Sequence, residues 1–216
     1  LIGETRLDST ITSYESIKYA KTDEGTSVYA DALCGDGSSM VTEFIYWSDY
    51  YNSIISPFYS YSTGRTKETL RSSQVTCRDI DDDGYIEIPE DTSSKKQSSE
   101  ITSQNWVNYG NTVLSHKCYS FSCKRDGYIL VIDDDDFSKV KANYDSESRK
   151  LTIINKKNKS NVFEIVTLIN SNYSVNDPKY KDYTMIMKNS GFVYLAKVNK
   201  SSDIDINIQT LKDMIK

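Results

Sequence analysis

Residues 77 to 90 read CRDIDDDGYIEIPE, with four aspartates within five positions, then a glycine, and glutamates at Glu87 and Glu90. Alternate side chains of a tightly turned segment can converge on one cation, and hard oxygen ligands at about 2.3–2.6 Å are what calcium takes. Asp79, Asp81 and Asp83 hold positions 1, 3 and 5 of such a loop, Gly84 supplies the sharp turn at 6, and the Tyr85 carbonyl falls at 7. Glu87 at position 9 closes the pattern DxDxDGxxE, whereas Glu90 at position 12 completes the EF-hand template. The flanks favour the first closure. SSQVTC before the loop has no helical periodicity, and Pro89 followed by DTSS makes a poor exiting helix. The expected site is therefore one structural calcium ion on Asp79, Asp81, Asp83, the Tyr85 carbonyl and Glu87. The competing reading is an acidic turn without an ion, in which close carboxylates repel one another.

No other constellation carries comparable chemistry, and no catalytic or organic-cofactor residue is assigned. His116 is the only histidine, and a zinc site drawn from it with Cys118 and Cys123 lacks a fourth ligand. A Ser/His/Asp hydrolase would rest on His116 without a GxSxG elbow. Asp133 to Asp136 read as a solvated, helix-capping turn. The four cysteines contain no CxxC pair and are expected as buried thiols, with disulfides Cys34–Cys77 and Cys118–Cys123 as the alternatives. From Phe44 to Tyr61 the chain carries Phe44, Tyr46, Trp47, Tyr50, Tyr51, Phe58, Tyr59 and Tyr61, a density suited either to sheet packing or to a platform for sugar rings or a peptide.

The elements that must hold these residues are mostly strands. SVYADALC (27 to 34) alternates, with Val28, Ala30, Ala32 and Cys34 on one side and Tyr29, Asp31 and Leu33 on the other. CGDGSS then reads as a turn and MVTEFIYW (40 to 47) as the returning strand. Further strands are expected near 51–60, 69–77 and 84–88. The polar run from 91 to 102 is the expected linker, dividing a β-rich acidic domain (1–90) from an α+β domain (103–216). In the latter, NTVLSHKCYSF, GYILVI, KLTIINKK, NVFEIVTLI and the hairpin YTMIMKNSGFVYLAKV form an antiparallel sheet. DDFSKVKANY and the C-terminal TLKDMIK are expected to pack on it as helices. The fold class is thus α+β and β-rich.

Composition bounds the function. Residues 1–100 carry 9 Lys/Arg against 18 Asp/Glu and residues 101–216 carry 17 against 13, so the halves come to −9 and +4. A +4 spread over separate short lysine steps is not a phosphate-binding face, and no nucleic-acid partner is expected. No apolar run reaches the roughly 18 residues of a membrane span. The start at Leu1 suggests a piece processed from a longer precursor.

The segment RDIDDDGYIEIP resembles the Asp-rich loop of integrin-type FG-GAP repeats. It is still more similar to the DIDxDGxxEIP segment of a family of uncharacterised surface lipoproteins from Gram-positive gut bacteria. TSVYADALCGDGSSMVTEFIYW with its TE step, TLR at 69 to 71, and NWVNYG followed by DGYILVI extend the likeness over residues 15 to 216. The resemblance implies blade-like N-terminal hairpins carrying the calcium loop and a C-terminal α+β domain. A closed propeller is excluded, because at least four blades of about 40 residues do not fit. The expectation that follows is a secreted, surface-anchored binding or adhesion module with a glycan or surface protein as partner. The alternative is a hydrolase acting on cell-envelope or dietary glycans.

Overall fold

The computed structural model describes residues 3–23, 25–92, 100–172, 174, 177–199 and 202–216. Those residues are β-rich, with antiparallel sheets and two short α-helices. The chain divides into two compact units, the first made of Leu1–Ser94 and Gln104–Cys118, the second of Lys95–Ser103 and Tyr119–Lys216. Compared with a single cut at the polar run, residues 104–118 fall with the first unit. Within the expected linker, Asp91 ends one strand and Ile101 opens the next, while residues 93–99 lie outside the described residues.

In the first unit, β1 (Ile11–Thr22), β2 (Gly25–Cys34), β3 (Ser39–Ser48) and β4 (Ser53–Ile55) form one antiparallel sheet in chain order. The alternation of β2 separates two clusters. Tyr29 joins Phe44, Tyr46, Phe58 and Tyr109, whereas Ala32 and Cys34 join Val41. Phe44 is the hub of the aromatic cluster, its ring 4.8 Å from Tyr109 and 4.9 Å from Tyr29. Such tilted contacts suit the ring quadrupoles and add to the area they bury. A short ladder of β5 (Tyr59–Ser60) with β6 (Arg65–Thr66) follows. Of the strand expected near 69–77, only a bridge between Arg71 and Met40 forms. Next, β7 (Ile88–Asp91) pairs with residues 104–107 of β8 (Ile101–Gly110). A two-residue turn, Asn111 and Thr112, both at positive φ, leads into β9 (Val113–Cys123). Two such residues are what a tight hairpin of matching twist requires.

The second unit contains β10 (Tyr128–Ile132), α1 (Asp134–Phe137), β11 (Val140–Asp145), β12 (Lys150–Asn155), β13 (Asn161–Ile169), β14 (Thr184–Lys188), β15 (Phe192–Val198) and α2 (Ile208–Met214). Five strands form a sheet in the order β11-β12-β13-β15-β14. The helix expected over DDFSKVKANY is corrected to one helical turn followed by a strand. Val140, Asn143 and Tyr144 have low helix propensity, and β11 gains a full register against β12 from Val140↔Asn155 to Asp145↔Lys150. The aspartates before it are largely exposed, and Asp133 precedes α1 without a side-chain capping bond. Beneath this sheet Asp126 is fully buried and held from three sides. Arg149 Nε donates to it at 2.7 Å, Tyr144 donates at 2.8 Å, and the Tyr194 hydroxyl donates to its carbonyl at 2.7 Å.

Helix α2 buries Leu211 in the same core, and Lys216 exchanges two backbone bonds with Ile129 on β10. The helix is capped by Asn207, whose side chain accepts from the Gln209 and Thr210 amides at 2.8 and 3.0 Å. Losing such a cap costs about 1 kcal/mol. The Asn207→Ala variant should therefore shift a urea unfolding curve by that amount with an unchanged slope, and no shift would mean that α2 is held by its apolar face alone.

Candidate metal centre

The acidic loop is defined at its base by backbone pairing. Arg78 and Glu87 exchange N–H to carbonyl bonds of 3.1 and 2.9 Å, which pinches residues 79 to 86 into a closed excursion. Apolar residues set between the acidic ones fasten it. Ile80 and Ile88 are fully buried and Ile86 nearly so, leaving Asp81, Asp82, Asp83 and Gly84 on the exposed arc. Gly84 has φ +90 and Asp82 φ +63, the left-handed region that a glycine, and less readily an aspartate, adopts. Asp79 stabilises the turn from inside, its two oxygens accepting the Asp83 and Gly84 amides at 3.1 and 2.8 Å.

The residue that opens the loop is tied to the sheet by a buried polar knot. Asp31 on β2 accepts both the amide and the thiol of Cys77 at 3.0 Å, and on its other oxygen the Arg71 guanidinium at 2.8 Å and the Thr42 hydroxyl at 2.6 Å. The Lys18 ammonium donates to the Cys77 carbonyl. Burial and the Asp31 charge push the Cys77 thiol far above its usual range, so it stays protonated and donates. All four cysteines are free thiols, and Cys34, Cys77 and Cys123 are buried.

Three of the expected ligands are brought together. Carboxylate oxygens of Asp79, Asp81 and Glu87 lie within 4.8 Å of one another, the only such group of three or more His, Cys, Asp or Glu among the described residues. Two oxygens each about 2.4 Å from one calcium ion are at most about 4.8 Å apart, so this spacing fits one ion. Asp83 stands slightly aside. Its Oδ1 accepts the Tyr85 amide at 2.9 Å and its Oδ2 meets the Lys117 ammonium. The ring of Tyr85 is exposed. Glu90 points elsewhere, accepting from Asn105 directly across the ladder at 2.9 Å, and Asn105 in turn contacts His116. The loop is followed by strand β7 rather than a helix, so the EF-hand geometry is absent.

Glu87 is the unusual member. It is fully buried. Its Oε2 accepts the Ile80 amide at 3.0 Å, while Oε1 has no hydrogen-bond partner. Burial raises its pKa to about 7, and the charges of Asp81, Asp83 and Asp79 push in the same direction against the Ile80 amide. An unpaired buried acceptor costs about 1–3 kcal/mol, and a divalent cation among Asp79, Asp81 and Glu87 would satisfy it. The all-oxygen donor set and this orphaned atom both fit calcium.

Lys117, on β9, is the functional neighbour that the loop's own sequence does not reveal. Its ammonium lies 3.4 Å from Asp81 Oδ2 and against Asp83 Oδ2, and the Asp83 contact holds its pKa well above the usual lysine value. The chain reaches this position 34 residues after Asp83, through the strands β7 and β8, a hairpin turn and the first half of β9.

The aromatic stretch splits between core and surface. Phe44, Tyr46 and Phe58 are buried, whereas Tyr50 is 89%, Tyr51 67% and Tyr61 75% exposed. Tyr50 and Tyr51 meet edge to face at 4.8 Å beyond the end of β3, where the half-buried Trp47 donates to Asp49 at 3.0 Å. No protein family, curated protein or solved structure matches this chain.

Proposed function

We propose that the chain is a binding or adhesion module that acts outside the cell, anchored at the cell surface, with calcium as a structural ion of its first unit. The ligands are Asp79, Asp81, Asp83, the Tyr85 carbonyl and Glu87. The observation that carries this reading is the fully buried Glu87 carboxylate, whose unpartnered oxygen belongs to the same close group as Asp79 and Asp81. A turn built only to be solvated has no use for a buried carboxylate. The blade-like likeness to FG-GAP loops and to the lipoprotein family is supported by the four-stranded meander β1 to β4, the strand number of a propeller blade. The α+β character of the second unit is supported by α2 on its five-stranded sheet.

The partner surface in this reading is the exposed group Tyr50, Tyr51 and Tyr61, whose rings suit a glycan or a surface protein. With about 2 mM calcium and a dissociation constant near 0.1 mM, typical of extracellular modules, binding stabilises the fold by about 1.8 kcal/mol. Melting temperature should then rise by roughly 5 °C on adding calcium and fall back with chelator. Soluble glycans added to the calcium-loaded chain should shift its tryptophan emission through Trp47. A melting curve indifferent to calcium removes the ion from this reading, and emission unmoved by any glycan leaves a protein as the partner.

A further inference from the structure

We propose that Lys117 is the built-in counter-ion of the acidic loop, and that its ammonium and a divalent cation compete for the site; this rests on the calcium reading above. The two would share Asp81. Its carboxylate belongs with Asp79 and Glu87 to the group spaced for one ion, and its Oδ2 also lies 3.4 Å from the Lys117 ammonium. Asp83 is engaged in the same way. Its Oδ1 is committed to the Tyr85 amide, so Oδ2 is the oxygen best placed to turn to a cation, and Lys117 holds it.

The ammonium neutralises the exposed arc and leaves the buried side unserved. Glu87 Oε1, fully buried, has no partner. A protonated lysine has no lone pair and cannot ligate a metal, so a calcium ion bound at Asp79, Asp81 and Glu87 meets it only as a repelling charge on a shared carboxylate. The lysine can leave at low cost. Its side chain is 28% exposed on a flexible four-carbon stem, and surface ion pairs are individually weak. Lys117 therefore stabilises the loop when no ion is bound and weakens its affinity for calcium, which would bring the site into the range of extracellular calcium concentrations.

The test is calorimetric titration of the full chain with calcium chloride, comparing wild type, Lys117→Met, Lys117→Gln and Lys117→Arg, with circular dichroism to verify folding. Two lost ion pairs and one lost repulsion correspond to about tenfold tighter binding in the Met and Gln variants. Lys117→Arg, which keeps the charge, should stay within about twofold of wild type. In chelator the order of stability should reverse, with the neutral variants melting below wild type. Calcium binding to the neutral variants alone would support the competition equally. If wild type binds calcium and the neutral variants bind no tighter, Lys117 is not a competitor, while the calcium reading stands. If no form binds calcium, both fall together.

Discussion

Replacing Arg71 with leucine should destabilise the chain by about 3–5 kcal/mol, the range for leaving one partner of a buried ion pair uncompensated. The Arg71 and Asp31 side chains are fully buried, with the guanidinium 2.8 Å from the carboxylate. Arg71 also donates to the Val75 and Thr69 carbonyls and to the Thr42 hydroxyl at 2.9 to 3.0 Å, so the substitution removes four donors from one enclosed place. The anion left behind still accepts the Cys77 amide and thiol. It would draw in water, and the start of the acidic loop would lose its fixed position. Urea unfolding should show the loss directly. A second substitution, Asp31→Asn in the Arg71→Leu background, should recover part of it, because the amide keeps an acceptor for Cys77 without the buried charge. A cost below about 1 kcal/mol for Arg71→Leu would mean that the carboxylate is solvated and that the knot does not hold the loop.

The second large effect concerns Glu87 in the calcium-free chain. Its pKa stands at about 7 when folded against an ordinary value of 4.5. Between those limits the folded chain keeps a proton that the unfolded chain has lost. Stability contributed by this group is therefore present below about pH 4.5 and is lost as pH rises to about 7, by about 3 kcal/mol in all. Glu87→Gln removes the titration and keeps a carbonyl oxygen for the Ile80 amide. In chelator at pH 8 the variant should be about 2–3 kcal/mol more stable than wild type, and at pH 4.5 the two should agree. Calcium bound as proposed should reverse the comparison, since the ion would favour the anionic wild type and gain little from the amide. Unfolding measured at both pH values, with chelator and with calcium, gives the difference free of the other carboxylates. Parallel profiles for wild type and Glu87→Gln would show that Glu87 is solvated.

The acidic loop was legible in the sequence because its determinants are local. Aspartates at alternate positions, a glycine where φ must be positive and apolar residues between them act within one turn of chain, and together they bring Asp79, Asp81 and Glu87 to one place. The same holds for the hairpins from β2 to β3 and from β14 to β15, where alternation and turn residues lie side by side. Three matters were decided only by tertiary structure. Whether an aromatic residue of the 44–62 stretch is core or surface depends on what covers it, and tyrosine suits both, so Phe44 and Tyr50 separated only on folding. DDFSKVKANY carries a helical spacing of apolar residues, but the ladder offered by β12 outweighs continuing the helix beyond Phe137. Lys117 and the Asp31–Arg71 knot come from distant segments, and no spacing rule connects a lysine to a loop 34 residues earlier. Sequence by itself thus determined the cluster of carboxylates and the turn that gathers them, since those are short-range chemistry and backbone geometry. The charge that neutralises the loop, the burial that perturbs Glu87 and the anchor at Cys77 are long-range, and only the packed chain sets the distances on which electrostatics depends.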